Sequence, residues 1–336
     1  MIPRIHSPEH RPAWQTLLQA SVKSSDELLR LLEIDPATLN IRPLASDFPL
    51  RVPPGFVDRM VRGDSNDPLL RQVLPVLEES REAAGYGCDP LDEHASMATP
   101  GLLHKYHGRA LLTLTGSCAI HCRYCFRRHF PYSAANPTSS NRARALAYLR
   151  QHPDITEIIL SGGDPLMLPD SRLRPLAMQL ADIPQLQTLR LHTRLPIVLP
   201  ERIDDDLLSW VQDVPLQVVM VVHCNHPNEI DAAVQQAMQR LAQAGVTLLN
   251  QSVLLRDVND DAATLVRLSR VLFSAGVLPY YLHQLDRVQG ATHFEVDTAT
   301  ACNLARKLSA ALPGYLVPRL VRELPGSPGK MPLEPT

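Results

Sequence analysis

The chain has 336 residues, of which 45% are hydrophobic and 20% charged, with a formal net charge of -2 at pH 7. This length can bury one large core, or one core and a modest second unit. The near-neutral charge gives no electrostatic basis for binding nucleic acid or an anionic membrane, and we expect neither as a partner. No signal-peptide pattern and no run of roughly 18 apolar residues is present, so we expect a cytoplasmic protein.

The first third of the chain predicts short helices separated by turns. Leucines at helical spacing indicate a helix over residues 26–35, and further helical stretches follow at 56–63 and 67–75. The segment 85–95 is rich in turn-forming residues. We therefore expect a mainly helical N-terminal region over residues 1–105.

Beyond this region, short apolar or β-branched runs alternate with helical stretches. Six runs are predicted strands, at residues 111–115, 157–161, 188–193, 217–223, 247–255 and 278–285. After the first interval they recur about every 30 residues, the length of one strand–helix unit of a parallel sheet. This favours an α/β fold with a partial (β/α)6 barrel as its core, over residues 106–312, and an open doubly wound sheet is the alternative. A last β-rich run and a Gly/Pro-rich end form a C-terminal region over residues 313–336.

Polar or reactive residues follow several of the predicted strands. Three cysteines follow the first strand, Gly162, Gly163 and Asp164 follow the second, His223 the fourth and Asp286 the sixth. Because the carboxyl ends of parallel strands form one edge, we expect these residues to surround one barrel mouth.

Three of the six cysteines, Cys118, Cys122 and Cys125, lie within eight positions. In a reducing compartment this grouping favours a metal or cluster site over disulfides. A Cys-x3-Cys-x2-Cys loop suits three corners of a four-iron, four-sulphide (4Fe–4S) cluster and leaves one iron open for another ligand. Structural zinc sites commonly use paired Cys-x2-Cys units, and the sequence has no second pair. A zinc site in the segment 223–226, which contains two histidines and a cysteine, is a weaker alternative.

The cysteine motif, the neighbouring Tyr124 and the strand placement resemble the radical S-adenosylmethionine (SAM) superfamily, whose core is a partial (β/α)6 barrel. Longer stretches resemble lysine 2,3-aminomutases, at residues 104–130, 192–203, 223–230, 248–260 and 278–290. The resemblance runs from about residue 90 to residue 333. It is greatest to the short bacterial form, which makes (R)-β-lysine for attachment to elongation factor P.

This resemblance implies three cofactors: a 4Fe–4S cluster, SAM and pyridoxal 5′-phosphate (PLP). It assigns the cluster to the three cysteines, and SAM to Ser161, Gly162, Gly163, Asp164, His223 and Gln251. PLP is assigned to Lys330, with its phosphate near Arg109 and Lys105. Relatives often have arginine at position 105. Lysine keeps the positive charge but lacks the planar guanidinium that binds a phosphate through two N–H groups.

The resemblance also implies how the substrate is held. Arg127 matches the residue that binds the substrate carboxylate, for which a guanidinium is well suited. Asp286 and Glu323 match two acidic residues that bind the ε-ammonium of lysine. Clostridial enzymes have aspartate at the second position, so the longer Glu323 changes the geometry and keeps the charge.

The implied activity is that of an isomerase converting L-lysine to β-lysine, with an electron donor such as flavodoxin and a ligase that transfers the product to elongation factor P. Three alternatives remain. An aminomutase for another amino acid would not need the Asp286 and Glu323 pair, and a PLP-free radical SAM enzyme would not use Lys330. A non-enzymatic iron–sulphur electron carrier would need a fourth cluster ligand. The chain ends soon after Lys330, so the tetrameric assembly of longer relatives is not assumed.

Overall fold

Ten strands form one continuous open sheet in a computed structural model that describes residues 12–41, 48–132 and 138–333. The strands lie in chain order: β1 (Met97–Thr99), β2 (Leu102–Tyr106), β3 (Arg109–Thr115), β4 (Glu157–Gly162), β5 (Thr188–Thr193), β6 (Gln217–His223), β7 (Thr247–Leu254), β8 (Leu278–Gln284), β9 (Arg319–Arg322) and β10 (Met331–Pro332). Strands β3 to β9 are parallel, whereas β1 and β2 at one end and β10 at the other are antiparallel to their neighbours.

Helices connect the parallel strands in order. The described helices are α1 (Ala13–Gln19), α2 (Ser25–Leu31), α3 (Pro54–Val57), α4 (Pro68–Arg71), α5 (Ser139–Gln151), α6 (Asp170–Ala181), α7 (Leu195–Val198), α8 (Asp205–Asp213), α9 (Ala232–Gln243), α10 (Ala262–Ser274) and α11 (Thr298–Ala311). Helices α5, α6, α8, α9, α10 and α11 lie in the six crossovers between β3 and β9.

The predicted partial (β/α)6 barrel is confirmed, as an open sheet. The six predicted strands are β3 to β8, and the last β-rich run contains β9. The doubly wound alternative is wrong, because that fold requires the strand order to reverse at a switch point, whereas these strands follow chain order throughout.

Alternation along the strands separates an apolar outer layer from a partly polar concave side. In β5, Leu189 and Leu191 are buried in the core between the sheet and the helices. Successive side chains of a strand point to opposite faces. Arg190 and His192, which are only partly buried, therefore face the concave side. The same alternation in β7 directs Gln251 to that side. The barrel interior thus offers polar groups to a ligand.

The N-terminal region differs in detail from the sequence-based expectation. The helix predicted over residues 56–63 is wrong in extent, because the single turn α3 ends at Val57. Further along, the Gly63 amide donates to the Leu32 carbonyl over 2.7 Å. The β1–β2 hairpin was not predicted, because a three-residue strand shows too little periodicity. Within the described ranges, no helix is both long and apolar enough to cross a membrane.

Candidate active site

The loop after β3 carries Cys118, Cys122 and Cys125, none of which forms a disulfide. Burial, together with the neighbouring Cys122, raises the pKa of Cys125 to about 11. Burial and the other two thiols likewise raise the pKa of Cys118 well above its usual range. The loop turns tightly here, since the Cys125 amide donates to the Cys122 carbonyl over 3.0 Å, and the positive charge of bound iron favours the thiolate forms of cysteine. The donor set therefore fits three corners of a 4Fe–4S cluster.

The glycine turn after β4 packs directly against the start of this cysteine loop. A Cβ atom on Gly163 would lie 2.5 Å from the Ser117 carbonyl oxygen, and one on Gly162 would lie 2.5 Å from that of Thr115. Gly162 also has a φ of +126°, a conformation that side chains disfavour. The family resemblance assigns both glycines to SAM. In the structure they allow close approach of the cysteine loop, and their contact with SAM stays a prediction.

Asp164 ties the end of β4 to the end of β5. Its carboxylate accepts hydrogen bonds from the Leu166, Arg194 and Leu195 amides and the Thr193 hydroxyl, over 2.7 to 3.2 Å. Burial raises the pKa of Asp164 to about 6, although these donors oppose the rise. Its predicted role in binding SAM is untested, and these four bonds give the side chain a structural role.

His223 and Gln251 occupy paired positions on the neighbouring strands β6 and β7. The Nε2 atom of His223 lies 3.3 Å from the hydroxyl of Tyr124 in the cysteine loop. Burial, and then the charge of Arg194, lowers the pKa of His223 to about 3, so the imidazole is neutral at pH 7. A neutral ring beside the cysteine loop is suited to hydrogen bonding with a polar ligand there.

The alternative zinc site in the segment 223–226 has no support. No group of three or more His, Cys, Asp or Glu side chains in the described part of the chain is arranged to hold a single metal ion. The Cys224 thiol instead donates to the His226 carbonyl over 3.4 Å, and Asn250 bonds to the Cys224 backbone. A cluster differs from a single ion because each thiolate binds a separate iron.

The Glu323 carboxylate forms ion pairs with two lysines, one from β2 and one from the C-terminal region. Its carboxylate lies 3.0 Å from the Lys105 ammonium and 2.7 Å from the Lys330 ammonium, and it accepts a 2.8 Å hydrogen bond from Tyr106. Burial alone would raise the pKa of Glu323, but Lys330 and Lys105 hold it well below its usual range. The predicted PLP lysine and the predicted phosphate-binding lysine therefore share one acidic partner.

Arg109 completes this group of cations. It begins β3, and its guanidinium lies 4.8 Å from the centre of the Tyr106 ring. The Lys330 ammonium lies 5.7 Å from the Tyr281 ring centre. An amine for the aldehyde and nearby cations for the phosphate are the groups that PLP requires, so the residues present fit this cofactor.

Lys330, in the Gly/Pro-rich end of the chain, is held next to a short strand. It directly precedes β10, which pairs with β9, and the Leu333 amide donates to the Leu320 carbonyl over 3.0 Å. The Gly/Pro-rich turn makes this pairing possible, since Gly326 adopts a φ of +73°. The short strand therefore limits the freedom of the lysine backbone.

Arg127 has a partner that the sequence analysis missed. Its guanidinium forms a two-pronged ion pair with Glu93, with distances of 2.6 and 2.8 Å, and also donates to the Ser161 hydroxyl over 3.0 Å. Burial would lower the pKa of Arg127, but Glu93 raises it. The guanidinium therefore stays charged. Glu93 lies in the turn-rich segment 85–95, which carried no functional signal of its own.

Asp286 follows β8 and makes no side-chain hydrogen bond within the described ranges. Burial, and then the nearby Glu323 carboxylate, raises the pKa of Asp286 to about 7. The Lys330 and Lys105 ammonium groups oppose this rise. The pKa of Asp286 thus responds to the charges of Glu323, Lys330 and Lys105, and its pairing with Glu323 around a substrate ammonium stays a prediction.

Known proteins of similar sequence identify the family of this chain. Residues 107–186 match the profile of a 4Fe–4S single cluster domain. The L-lysine 2,3-aminomutase of Escherichia coli (strain K12) is 52% identical over 326 residues, covering 96% of this chain and 95% of the relative. The chain belongs to the L-lysine 2,3-aminomutase family. The Haemophilus influenzae enzyme of the same name is 46% identical, with 94% of each chain covered, and that of Clostridium subterminale is 36% identical over 85% of this chain and 69% of the relative.

Members of the L-lysine 2,3-aminomutase family are isomerases that use a 4Fe–4S cluster, SAM and PLP. This membership rules out the non-enzymatic electron carrier that the cysteine motif alone left open. Among solved structures, a radical SAM methyltransferase from Sphaerobacter thermophilus is 17% identical, with a TM-score of 0.47, and the match covers 66% of this chain and 68% of that one. A likeness at this level says nothing about the reaction.

The glycine turn gives a direct test of how the cysteine loop is held. Gly163→Ala forces a Cβ atom against the Ser117 carbonyl, so we expect a loss of roughly 1–3 kcal/mol in the free energy of unfolding and lower iron content after reconstitution. Urea unfolding and iron analysis measure the two effects. The matched control is Gly55→Ala, where a Cβ atom has open space. Equal stability and iron content in the two variants would contradict the packing argument.

Proposed function

We propose that the protein is a radical SAM, PLP-dependent L-lysine 2,3-aminomutase that converts L-lysine to β-lysine. The observation that carries the proposal is the 52% identity to an enzyme of that name over 96% of the chain. The site adds support, since the cysteine loop, a lysine with cationic neighbours and two carboxylates all border the concave side of one sheet.

Different residues of the site can bind each of the three cofactors that such a reaction needs. When bound, the reduced cluster and SAM supply a 5′-deoxyadenosyl radical that removes a hydrogen atom from lysine, and PLP carries the amino group that migrates. We assign the cluster to Cys118, Cys122 and Cys125, SAM to the residues after β4, β6 and β7, and PLP to Lys330. The chain must also exclude water and hold the reacting groups in a fixed orientation.

The arrangement around Glu323 supports a site for the substrate ammonium. The Lys330 ammonium lies 2.7 Å from Glu323, and its charge, like that of Lys105, opposes the rise in the pKa of Asp286 that burial and Glu323 cause. Glu323 thus already binds an ammonium group, and we assign Asp286 as the second carboxylate for the ammonium of the substrate. We assign the neighbouring position to the ε-ammonium of the substrate, with Lys330 as the residue that would hold PLP.

For the substrate carboxylate we propose Arg127. Glu93 holds the Nε and Nη2 groups, so the Nη1 group, now bonded to Ser161, is the one directed to a further acceptor. Glu93 fixes the plane of the guanidinium, and a buried arginine without such a partner would be costly. The carboxylate of lysine would then lie beside the SAM residues and the ammonium beside Asp286.

Finer features of the family form belong to the same proposal. These are the (R) configuration of the product, its transfer by a ligase to elongation factor P, and reduction by a flavodoxin-like donor. The division into an N-terminal region over 1–105, a core over 106–312 and a C-terminal region over 313–336 is also proposed. The identity to the bacterial enzymes over nearly the whole chain supports this set.

Replacement of the PLP lysine should separate the two cofactors. Lys330→Ala removes the amine that captures the aldehyde, so we expect the visible absorbance of lysine-bound PLP to disappear while the iron content stays at about four per chain. Absorbance spectra after incubation with PLP, and iron analysis, measure this. The control is Lys307→Ala, on the exposed side of α11. An unchanged PLP spectrum in the Lys330 variant would mean that another lysine carries the cofactor.

Replacement of Asp286 tests the recognition of lysine itself. A buried ammonium that loses a charged partner costs roughly 3–5 kcal/mol. At 1.36 kcal/mol per tenfold, we expect kcat/KM for lysine to fall roughly 150- to 5000-fold in Asp286→Asn. An ionised carboxylate is needed and the pKa of Asp286 is about 7. In the unmodified enzyme kcat/KM should therefore rise with pH through this value, and the variant should lose that rise.

The control substrate is 2-aminohexanoic acid, which lacks the ε-amino group, and the control variant is Asp213→Asn, in an exposed ion pair with Arg174. The Asp286 variant should change turnover of the analogue little. An equal loss for both substrates, or no loss for either, would show that Asp286 does not select lysine.

A further inference from the structure

Arg194 directs its guanidinium toward one of the cluster cysteines. It is the residue after β5, and its side chain is 7% exposed. One terminal nitrogen, Nη1, donates to the Cys122 sulphur over 2.6 Å and to the Tyr124 hydroxyl over 2.7 Å. The other, Nη2, donates to the Gln72 side-chain oxygen over 2.7 Å and to the Glu229 carboxylate over 2.9 Å.

The partners of Arg194 hold the guanidinium in one orientation. Gln72 and Glu229 are fully buried, and a 3.1 Å hydrogen bond joins their side chains. Glu229 also accepts hydrogen bonds from the Asn225 and His226 amides. A planar guanidinium bonded on both terminal nitrogens has little freedom to rotate. The direction of the Nη1 group toward Cys122 is therefore set by buried groups outside the cysteine loop.

Charge balance alone does not require the contact with sulphur. Glu229 already neutralises Arg194, and Gln72 and Tyr124 provide further acceptors. Cys118, by contrast, meets an arginine at its carbonyl oxygen, which accepts from Arg51 over 3.1 Å. The Arg194 contact thus places a cationic donor on the sulphur atom that would bind iron.

We propose that Arg194 is a positioning residue that acts through Cys122 to make the cluster easier to reduce. The inference rests on the proposed function only in requiring a 4Fe–4S cluster on the three cysteines. A low-potential one-electron donor adds one electron to the oxidised cluster, and no bond or proton at Arg194 changes. Hydrogen bonds and positive charge near ligand sulphur favour the more negative, reduced state. Arg194 therefore favours the state that passes an electron to SAM.

A purely structural role is the competing explanation. Arg194 joins Gln72 of the N-terminal region to Glu229 of the barrel, so its loss could simply weaken the packing of the two. A structural role predicts lower stability and an unchanged reduction potential in every protein that assembles its cluster. The reduction potential therefore separates the two explanations.

Two variants test the proposal. Arg194→Lys keeps the buried positive charge but replaces the planar guanidinium with a single ammonium group. Arg194→Met combined with Glu229→Gln removes both charges, leaves the net charge unchanged and deletes the donor to sulphur. The control is Arg202→Lys, because Arg202 is equally buried and paired, with Asp170, and does not contact a cysteine. Each protein is reconstituted anaerobically to the same iron content, and its midpoint potential is measured by redox titration followed by electron paramagnetic resonance.

We expect the equilibrium constant for one-electron reduction to fall about tenfold in the double variant, a shift of about 59 mV to more negative potential, and to fall less in Arg194→Lys. The control should match the unmodified protein. Unchanged potentials in both Arg194 variants overturn the proposal, and so does failure of both to assemble a cluster that the control assembles. The titration needs neither lysine nor PLP. Absence of a four-iron cluster from the unmodified protein would instead count against the proposed function.

Discussion

Ionised side chains inside this barrel must be paired, and that constraint determines how the segments around the mouth are held. An unpaired buried charge costs on the order of several kcal/mol, whereas a paired and hydrogen-bonded charge is tolerated. The buried pairs join Arg194 to Glu229, Arg127 to Glu93, Arg123 and Arg128 to Glu79, and Lys105 and Lys330 to Glu323. Most of these bonds connect segments far apart in the chain. Charge pairing therefore fixes which loops meet at the site.

The N-terminal region and the C-terminal tail both gain a role from this pairing. Residues of the N-terminal region contact the cysteine loop through Arg51, Gln72 and Glu79, so this region surrounds the loop that would carry the cluster. At the opposite side of the site, Glu323 joins β2 to the tail through Lys105 and Lys330. The carboxylate that we propose for substrate binding also holds the two ends of the open sheet together.

The parts of the molecule that could be predicted from sequence are those with local signals. The strand–helix repeat and the spacing of the cysteines need only neighbouring residues, and the structure contains both. The partners Glu93, Gln72 and Arg194 were missed because their roles depend on contacts 34 to 122 residues apart in the chain. The strand after Lys330 could not be predicted, because Gly and Pro nearby indicate turns and a two-residue strand has no periodicity to detect. The remaining site residues were assigned from matching positions in the family, because no local sequence pattern identifies them.

In a lysine 2,3-aminomutase, nitrogen moves from C2 to C3 of lysine in a protein that holds all three cofactors. The most direct measurement is anaerobic incubation of the reconstituted protein with lysine labelled with 15N at the α-amino group, together with SAM and dithionite. Mass spectrometry and nuclear magnetic resonance then locate the label. We predict β-lysine with the label on C3, and none from Cys122→Ala. Fully loaded protein that leaves the label on C2, or equal product from the cysteine variant, would contradict the account.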